Sequence, residues 1–213
     1  MKEKIKAVVF DLDGTLGDTM DMCVANVYEV FEHYGVKPEL GSIFETFGAS
    51  EDGTFNKLLP EHAEEAFKMY VDVTRKNHHR CPAPFDGIKE IFDFLQGKVK
   101  IGLITGKSRQ AARVTLGVFD LWDRFDEIIT GEPLHFKKVE DMQNICKIFG
   151  TKPENSVYLG DMDTDIICAN KAGFISCAAV WCDTTDKEAV AASHPDYTFS
   201  TTQEFLNFLK ERV

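Results

Sequence analysis

The chain is short of positive charge: 24 Lys and Arg stand against 35 Asp and Glu in 213 residues, a formal charge of −11. Nucleic acids and anionic membranes both demand a basic footprint, so neither is expected as a partner. An anionic ligand must be held by local features, against the overall field. No run approaches the roughly 18 unbroken apolar residues of a membrane span. Met1-Lys2-Glu3-Lys4 leads directly into an apolar segment, which leaves no room for a signal peptide and predicts cytoplasmic residence. The six cysteines (Cys23, Cys81, Cys146, Cys168, Cys177 and Cys182) form no C-x-x-C pair, so they read as small core residues rather than a disulfide framework or zinc site. The basic stretch Arg75 to Arg80 reads as the solvated end of a helix.

What is present is apolar and periodic. Hydrophobic residues make up 44% of the chain, enough for a proper core. Short apolar runs at Ile5 to Phe10, Val99 to Ile104, Glu127 to Thr130, Ser156 to Leu159, Cys177 to Val180 and Tyr197 to Phe199 alternate with segments of helical spacing such as Ile88, Ile91, Phe92 and Leu95. That alternation predicts an α/β fold, a Rossmann-like parallel sheet with helices on both faces. Between Leu16 and Pro82 the alternation fails: apolar spacing is helical throughout, as in Val24, Val27, Tyr28 and Phe31. The expected organisation is an α/β core of residues 1–16 and 82–213 carrying an inserted all-helical cap of residues 17–81, with Pro82-Ala83-Pro84 as a stiff return. A module spliced in so close to the first strand is placed to cover whatever lies at that strand's end.

At that end stands Asp11-Leu12-Asp13-Gly14-Thr15. Acids directly after a buried strand lie at the carboxyl edge of the sheet, where open α/β folds keep their ligand sites. Two neighbouring carboxylates repel by about 4 kcal/mol at an effective dielectric near 20, which calls for a divalent cation, a retained proton, or both. The second strand ends in Thr105-Gly106, whose hydroxyl and amides suit an oxyanion. The fourth ends in Gly160-Asp161, with Asp165 one turn later on the same helix face. Asp11 and Asp161 match the one or two carboxylates that magnesium usually takes. Asp163 reads as solvent-facing or as an N-cap. Lys137 and Lys138 follow the third strand; one is expected to neutralise the acids and the other to be an ordinary surface lysine.

Asp11-Leu-Asp13-Gly-Thr-Leu, Thr105-Gly106, a lysine near 137 and Gly160-Asp161-x-x-x-Asp165, in this order, resemble the haloacid dehalogenase-like hydrolases. The inserted helices are similar to those of the phosphoglycolate phosphatase and β-phosphoglucomutase branch. The resemblance implies that Asp11 attacks phosphorus to form an aspartyl phosphate and that Asp13 protonates the leaving oxygen, then activates water. It implies Mg2+ held by the Asp11 side chain, the Asp13 backbone carbonyl and Asp161, with Asp165 in support. Thr105 and Gly106 hold the phosphoryl group, and Lys137 is chosen as the catalytic lysine. Relatives carry Lys-Pro-x-Pro there, whereas Lys137-Lys138-Val139-Glu140 has neither proline.

The implied activity is a magnesium-dependent phosphatase for a small, phosphoglycolate-like metabolite, acting as a monomer or homodimer. Asp11, Asp161 and a phosphate dianion carry four negative charges against three from magnesium and one lysine, so Asp13 is expected to enter protonated. One rival is a sugar-phosphate mutase of the same branch, but mutases carry basic residues in the first turn of the insertion loop, where this chain has the acidic Phe47-Gly48-Ala49-Ser50-Glu51-Asp52. The other is a catalytically silent binding protein, against which the intact Asp11, Asp13, Thr105 and Asp161 speak. His33, Tyr34, Phe47 and Asn56 are candidates to face the cleft.

Overall fold

A computed structural model describes residues 4–46, 50–133 and 137–213. Six short strands, β1 (Ala7–Phe10), β2 (Lys100–Ile104), β3 (Glu127–Ile129), β4 (Ser156–Gly160), β5 (Ile175–Ala179) and β6 (Tyr197–Phe199), form one sheet in the order β3-β2-β1-β4-β5-β6. Every pairing is parallel. Such a sheet is buried on both faces, which is why β1 and β4 are buried along their whole length and read as apolar runs rather than alternating ones.

The order in which strands are added reverses at β1, with β2 and β3 on one side and β4, β5 and β6 on the other. Strand β1 pairs with β2 on one side, Phe10 opposite Leu103, and with β4 on the other, Phe10 opposite Leu159. The carboxyl ends of β1, β2 and β4 therefore meet at the topological switch point, where the diverging loops leave a crevice. Asp11, Thr105 and Asp161, each next after its strand, share that crevice without any further folding decision.

Between β1 and β2 lie α1 (Met20–His33), α2 (Leu40–Phe44), α3 (Glu51–Leu58) and α4 (Ala63–Asn77), and no strand among the described residues. Val27, Phe31, Phe55 and Tyr70 build a separate apolar core for this helical cap, to which Ala111 of the main body also belongs. Phe47, a cleft candidate, lies outside the described residues. His33 and Asn56 are exposed, and Tyr34 stacks on His62 with ring centroids 4.7 Å apart, so the aromatic candidate packs within the cap. His78, expected at a solvated helix end, is instead buried, its ring edge-on to Phe119 and its Nδ1 2.8 Å from the Cys81 carbonyl.

Of the remaining helices, α5 (Ile88–Leu95) leads from the cap into β2, and α6 (Arg109–Phe119), α7 (Lys138–Phe149), α8 (Asp163–Ala172), α9 (Lys187–Ala192) and α10 (Thr202–Lys210) follow β2 to β6 in turn. Phe10, Phe92 and Phe205 lie in the apolar layer on one face of the sheet, and Val9, Ile145 and Tyr158 in the layer on the other. All six cysteines are buried free thiols. No described helix is long and apolar enough to cross a membrane.

Candidate active site

Asp11, Asp161 and Asp165 bring carboxylate oxygens within 4.8 Å of one another, all three buried. Two glycines permit this. Gly14 has φ +82°, and a Cβ there would sit 2.1 Å from Asp161 Oδ2; a Cβ on Gly160 would come within 2.4 Å of Asp165 Oδ2. Thr15 Oγ1 donates to Asp161 Oδ1 at 3.1 Å, and the backbone N–H of Met162 donates to Asp165 Oδ2 at 3.1 Å.

The lysine that meets these acids is Lys138. Its Nζ lies 3.2 Å from Asp11 Oδ1 and also pairs with Asp165 Oδ1. Lys137, the sequence choice, pairs instead with Glu132 at 2.7 Å and its side chain is 45% exposed, against 10% for Lys138, although it lines the small cavity beside Thr105. Lys138 is the first residue of α7, so the helix's opening turn carries it toward the sheet edge and leaves the preceding residue outside.

One ammonium does not balance three acids. Burial above all, with Asp165 and Asp13 adding to it and Lys138 opposing, pushes the Asp11 carboxyl from 3.8 up to about 7. Burial, then Asp165 and Asp11, likewise drive Asp161 well above the carboxylate range. Burial works against the charge of Lys138, yet Asp11 and Asp165 hold its pKa well above the ordinary lysine value. An all-oxygen donor set with surplus negative charge is what a hard divalent cation such as Mg2+ requires.

Asp13 turns to a second set of partners. Thr19 Oγ1 donates to its Oδ1, and Lys107 Nζ lies 3.1 Å from its Oδ2. The Lys107 side chain is 2% exposed and also reaches Cys23 Sγ at 3.0 Å and, from the cap, Glu51 Oε1 at 3.6 Å. Burial opposes its charge, but Asp13, followed by Cys23, Tyr70 and Glu51, raises its pKa well above the usual lysine value. Glu51 Oε2 also accepts the Ser108 N–H at 2.7 Å, just before the first turn of α6. Burial pushes the Cys23 thiol up to about 12, so Cys23 is no nucleophile at neutral pH. Charge counting from the sequence left out Lys107, a second buried cation that stands beside Asp13. Lys107, Glu51 and Thr19 were all missed. The one signal in the sequence was a lysine directly after a strand-terminal Thr-Gly.

Thr105 is buried, and its Oγ1 accepts the Lys107 backbone N–H at 3.2 Å. Beside it, Thr105, Gly106, Thr130, Gly131, Lys137 and Lys138 are among the residues lining a cavity of about 50 Å³, the size of a small oxyanion rather than a metabolite.

Most of the chain is similar to known proteins. Residues 8–180 match the family model of haloacid dehalogenase-like hydrolases. A pyrophosphatase PpaX of Bacillus mycoides is 27% identical over 210 residues, covering 97% of each chain. In fold, the chain is similar to a haloacid dehalogenase-like hydrolase from Streptococcus pneumoniae (TM-score 0.75, 22% identity, 96% of this chain and 98% of that one). It is also similar to a hydrolase from Pseudomonas syringae (TM-score 0.77, 19% identity, 97% and 98%). With most of its length matched and its acids gathered at the switch point of the sheet, the chain belongs to the haloacid dehalogenase-like hydrolases.

Proposed function

We propose that this enzyme is a Mg2+-dependent phosphatase that hydrolyses a small phosphorylated metabolite through an aspartyl phosphate on Asp11. The observation that carries the reading is the position of Lys138, whose ammonium bridges Asp11 and Asp165 beside the small Thr105–Gly106 cavity.

The phosphoryl group sits in that cavity, held by the Thr105 hydroxyl, the Gly106 amide and Lys138. Asp11, Asp161 and the Asp13 backbone carbonyl, with Asp165 in support, would hold Mg2+, which would supply the positive charge for a carboxylate to approach a phosphate dianion. An Asp11 oxygen forms a bond to phosphorus as the ester P–O bond breaks, and Asp13 gives the leaving oxygen its proton. In the second half, Asp13 takes a proton from water, whose oxygen displaces Asp11 and releases phosphate. Two easier displacements replace one very slow one, with positioning and electrostatics providing most of the acceleration.

The mutase alternative lacks support at the cap. A mutase must grip a second phosphate, whereas the cap here presents the Glu51 carboxylate, already bound to Ser108 N–H and Lys107. Phosphate release from a panel of monoesters and pyrophosphate with Mg2+, for the wild type and Asp11→Asn, tests the reading. Asp11→Asn is expected to lose at least about 10³-fold in rate with an unchanged circular dichroism spectrum. Undiminished release in that variant removes Asp11 as the nucleophile.

A further inference from the structure

Asp161 is held at the acidic centre by the loop that follows β1. Gly14 passes so close that a Cβ there would lie 2.1 Å from Oδ2, and the Thr15 hydroxyl donates to Oδ1 at 3.1 Å. That loop is in turn held from two strands away: the indole N–H of Trp181, just past β5, donates to the Thr15 carbonyl at 3.1 Å. Thr15 is completely buried, and the indole is the one donor to its carbonyl among the described hydrogen bonds. A buried carbonyl left without a partner costs free energy, so losing the indole N–H favours a shift of the loop.

The anchor itself is firm. Val180, the residue before Trp181, donates its N–H to the Phe199 carbonyl of β6 at 2.9 Å, and β5 pairs with β4 with Ala178 opposite Gly160. Asp161 and Trp181 therefore leave the same edge of adjacent strands. Cys182 donates its thiol to Asp18 Oδ1 at 3.6 Å, so the segment after β5 grips the segment after β1 at two points. From this we infer that Trp181 is a positioning residue for the metal centre: through Thr15 it fixes the orientation of Asp161, and so sets how tightly Asp11, Asp161 and Asp165 hold a divalent cation. Losing a partner that orients a metal ligand weakens metal binding by about 10–100-fold, and Trp181, one contact further out, is expected at the low end of that range. The inference rests on the metal assignment of the phosphatase reading, to which it adds a residue outside the acidic cluster.

Its test is titration of the full chain with Mn2+ alone, which takes the same oxygen ligands as Mg2+ and whose free form is counted by electron paramagnetic resonance. Asp161→Asn is expected to abolish binding and so locates it. Trp181→Phe keeps an aromatic ring but loses the N–H, and is expected to raise the Mn2+ Kd about tenfold. Trp122 packs against the same apolar layer as Trp181, so Trp122→Phe is the control for lost packing and should leave Kd within roughly twofold. In a Thr15→Val background, where the link to Asp161 is already cut, Trp181→Phe should likewise change Kd by less than about twofold. Equal shifts in the two tryptophan variants, or an undiminished Trp181→Phe effect in the Thr15→Val background, overturns the inference while leaving the cation at Asp161. Should Trp181→Phe fail to fold, Trp122→Phe leaves Trp181 as the sole tryptophan, whose emission is expected to shift saturably with Mg2+; an unchanged spectrum overturns the inference. No Mn2+ binding by the wild type, or binding that Asp161→Asn leaves intact, overturns the metal assignment and the inference with it.

Discussion

The carboxylates of Asp11 and Asp13 leave the backbone two residues apart and end in different company. Asp11 joins Asp161 and Asp165 around the single ammonium of Lys138, an excess of buried acid that pushes its carboxyl up to about 7. Asp13 joins Glu51 around Lys107, with the Thr19 hydroxyl on Asp13 and the Ser108 amide on Glu51 filling the remaining lone pairs. One cluster is built entirely from the α/β core and is electrically incomplete. The other needs a cap residue, and with it the donors and acceptors close on themselves. On the proposed mechanism, the nucleophile and the acid–base group are thus separated by which module supplies their partners.

Removing the cation from the closed cluster gives the largest expected change in stability. Lys107→Met leaves Asp13 and Glu51 buried against each other, and breaking a buried pair in this way costs about 3–5 kcal/mol. Urea unfolding measures it. A cost below about 1 kcal/mol means that the cluster is not closed in solution. For the open cluster the sharper contrast is between adjacent lysines: Lys138→Met should slow phosphate release by about 10²-fold, as expected for a lost electrostatic contact to the reacting group. Lys137→Met should stay within roughly twofold, because its exposed pair with Glu132 contributes little. Equal losses in the two variants erase the distinction.

The open cluster also predicts a pH dependence that metal removes. Because burial raises the Asp11 pKa from 3.8 to about 7, the metal-free native state keeps a proton that the unfolded chain has released across that interval. The native state then binds more protons than the unfolded one, so stability falls as pH rises from about 4 to about 7. Thermal unfolding in Mg2+-free buffer should show a decline on the order of 5 °C in Tm from this source, flattened by saturating Mg2+. A slope that Mg2+ does not change places the cation elsewhere.

The fold was legible because strands of a buried parallel sheet announce themselves as short apolar runs, and the residue after each run lands at the same edge whatever the loops do. Asp11, Thr105 and Asp161 needed nothing more than that. Lys137 and Lys138 were harder: they differ only in which one the opening turn of α7 carries inward, a matter of about 100° of helix rotation that no local pattern encodes. Glu51 and Lys107 were out of reach for another reason. Their contact joins cap to core over a separation of 56 residues, and nothing in either segment points to the other.

Glu51 carries two functions, and they can be separated. Its Oε2 accepts the Ser108 N–H just before α6, and its charge faces Lys107 at 3.6 Å. Glu51→Gln keeps an oxygen for the amide but removes the charge, whereas Glu51→Ala removes both. At 3.6 Å the ion pair is the longer of the two contacts, so the hydrogen bond is expected to provide most of the stabilisation. Glu51→Gln should therefore cost no more than about 0.5 kcal/mol and Glu51→Ala about 1–2 kcal/mol, read by urea unfolding. The same two variants separate fold from chemistry. On the proposed mechanism, in which Asp13 acts beside Lys107, Glu51→Gln changes the pH–rate profile while barely moving the unfolding midpoint. An unshifted profile confines Glu51 to holding the cap against α6.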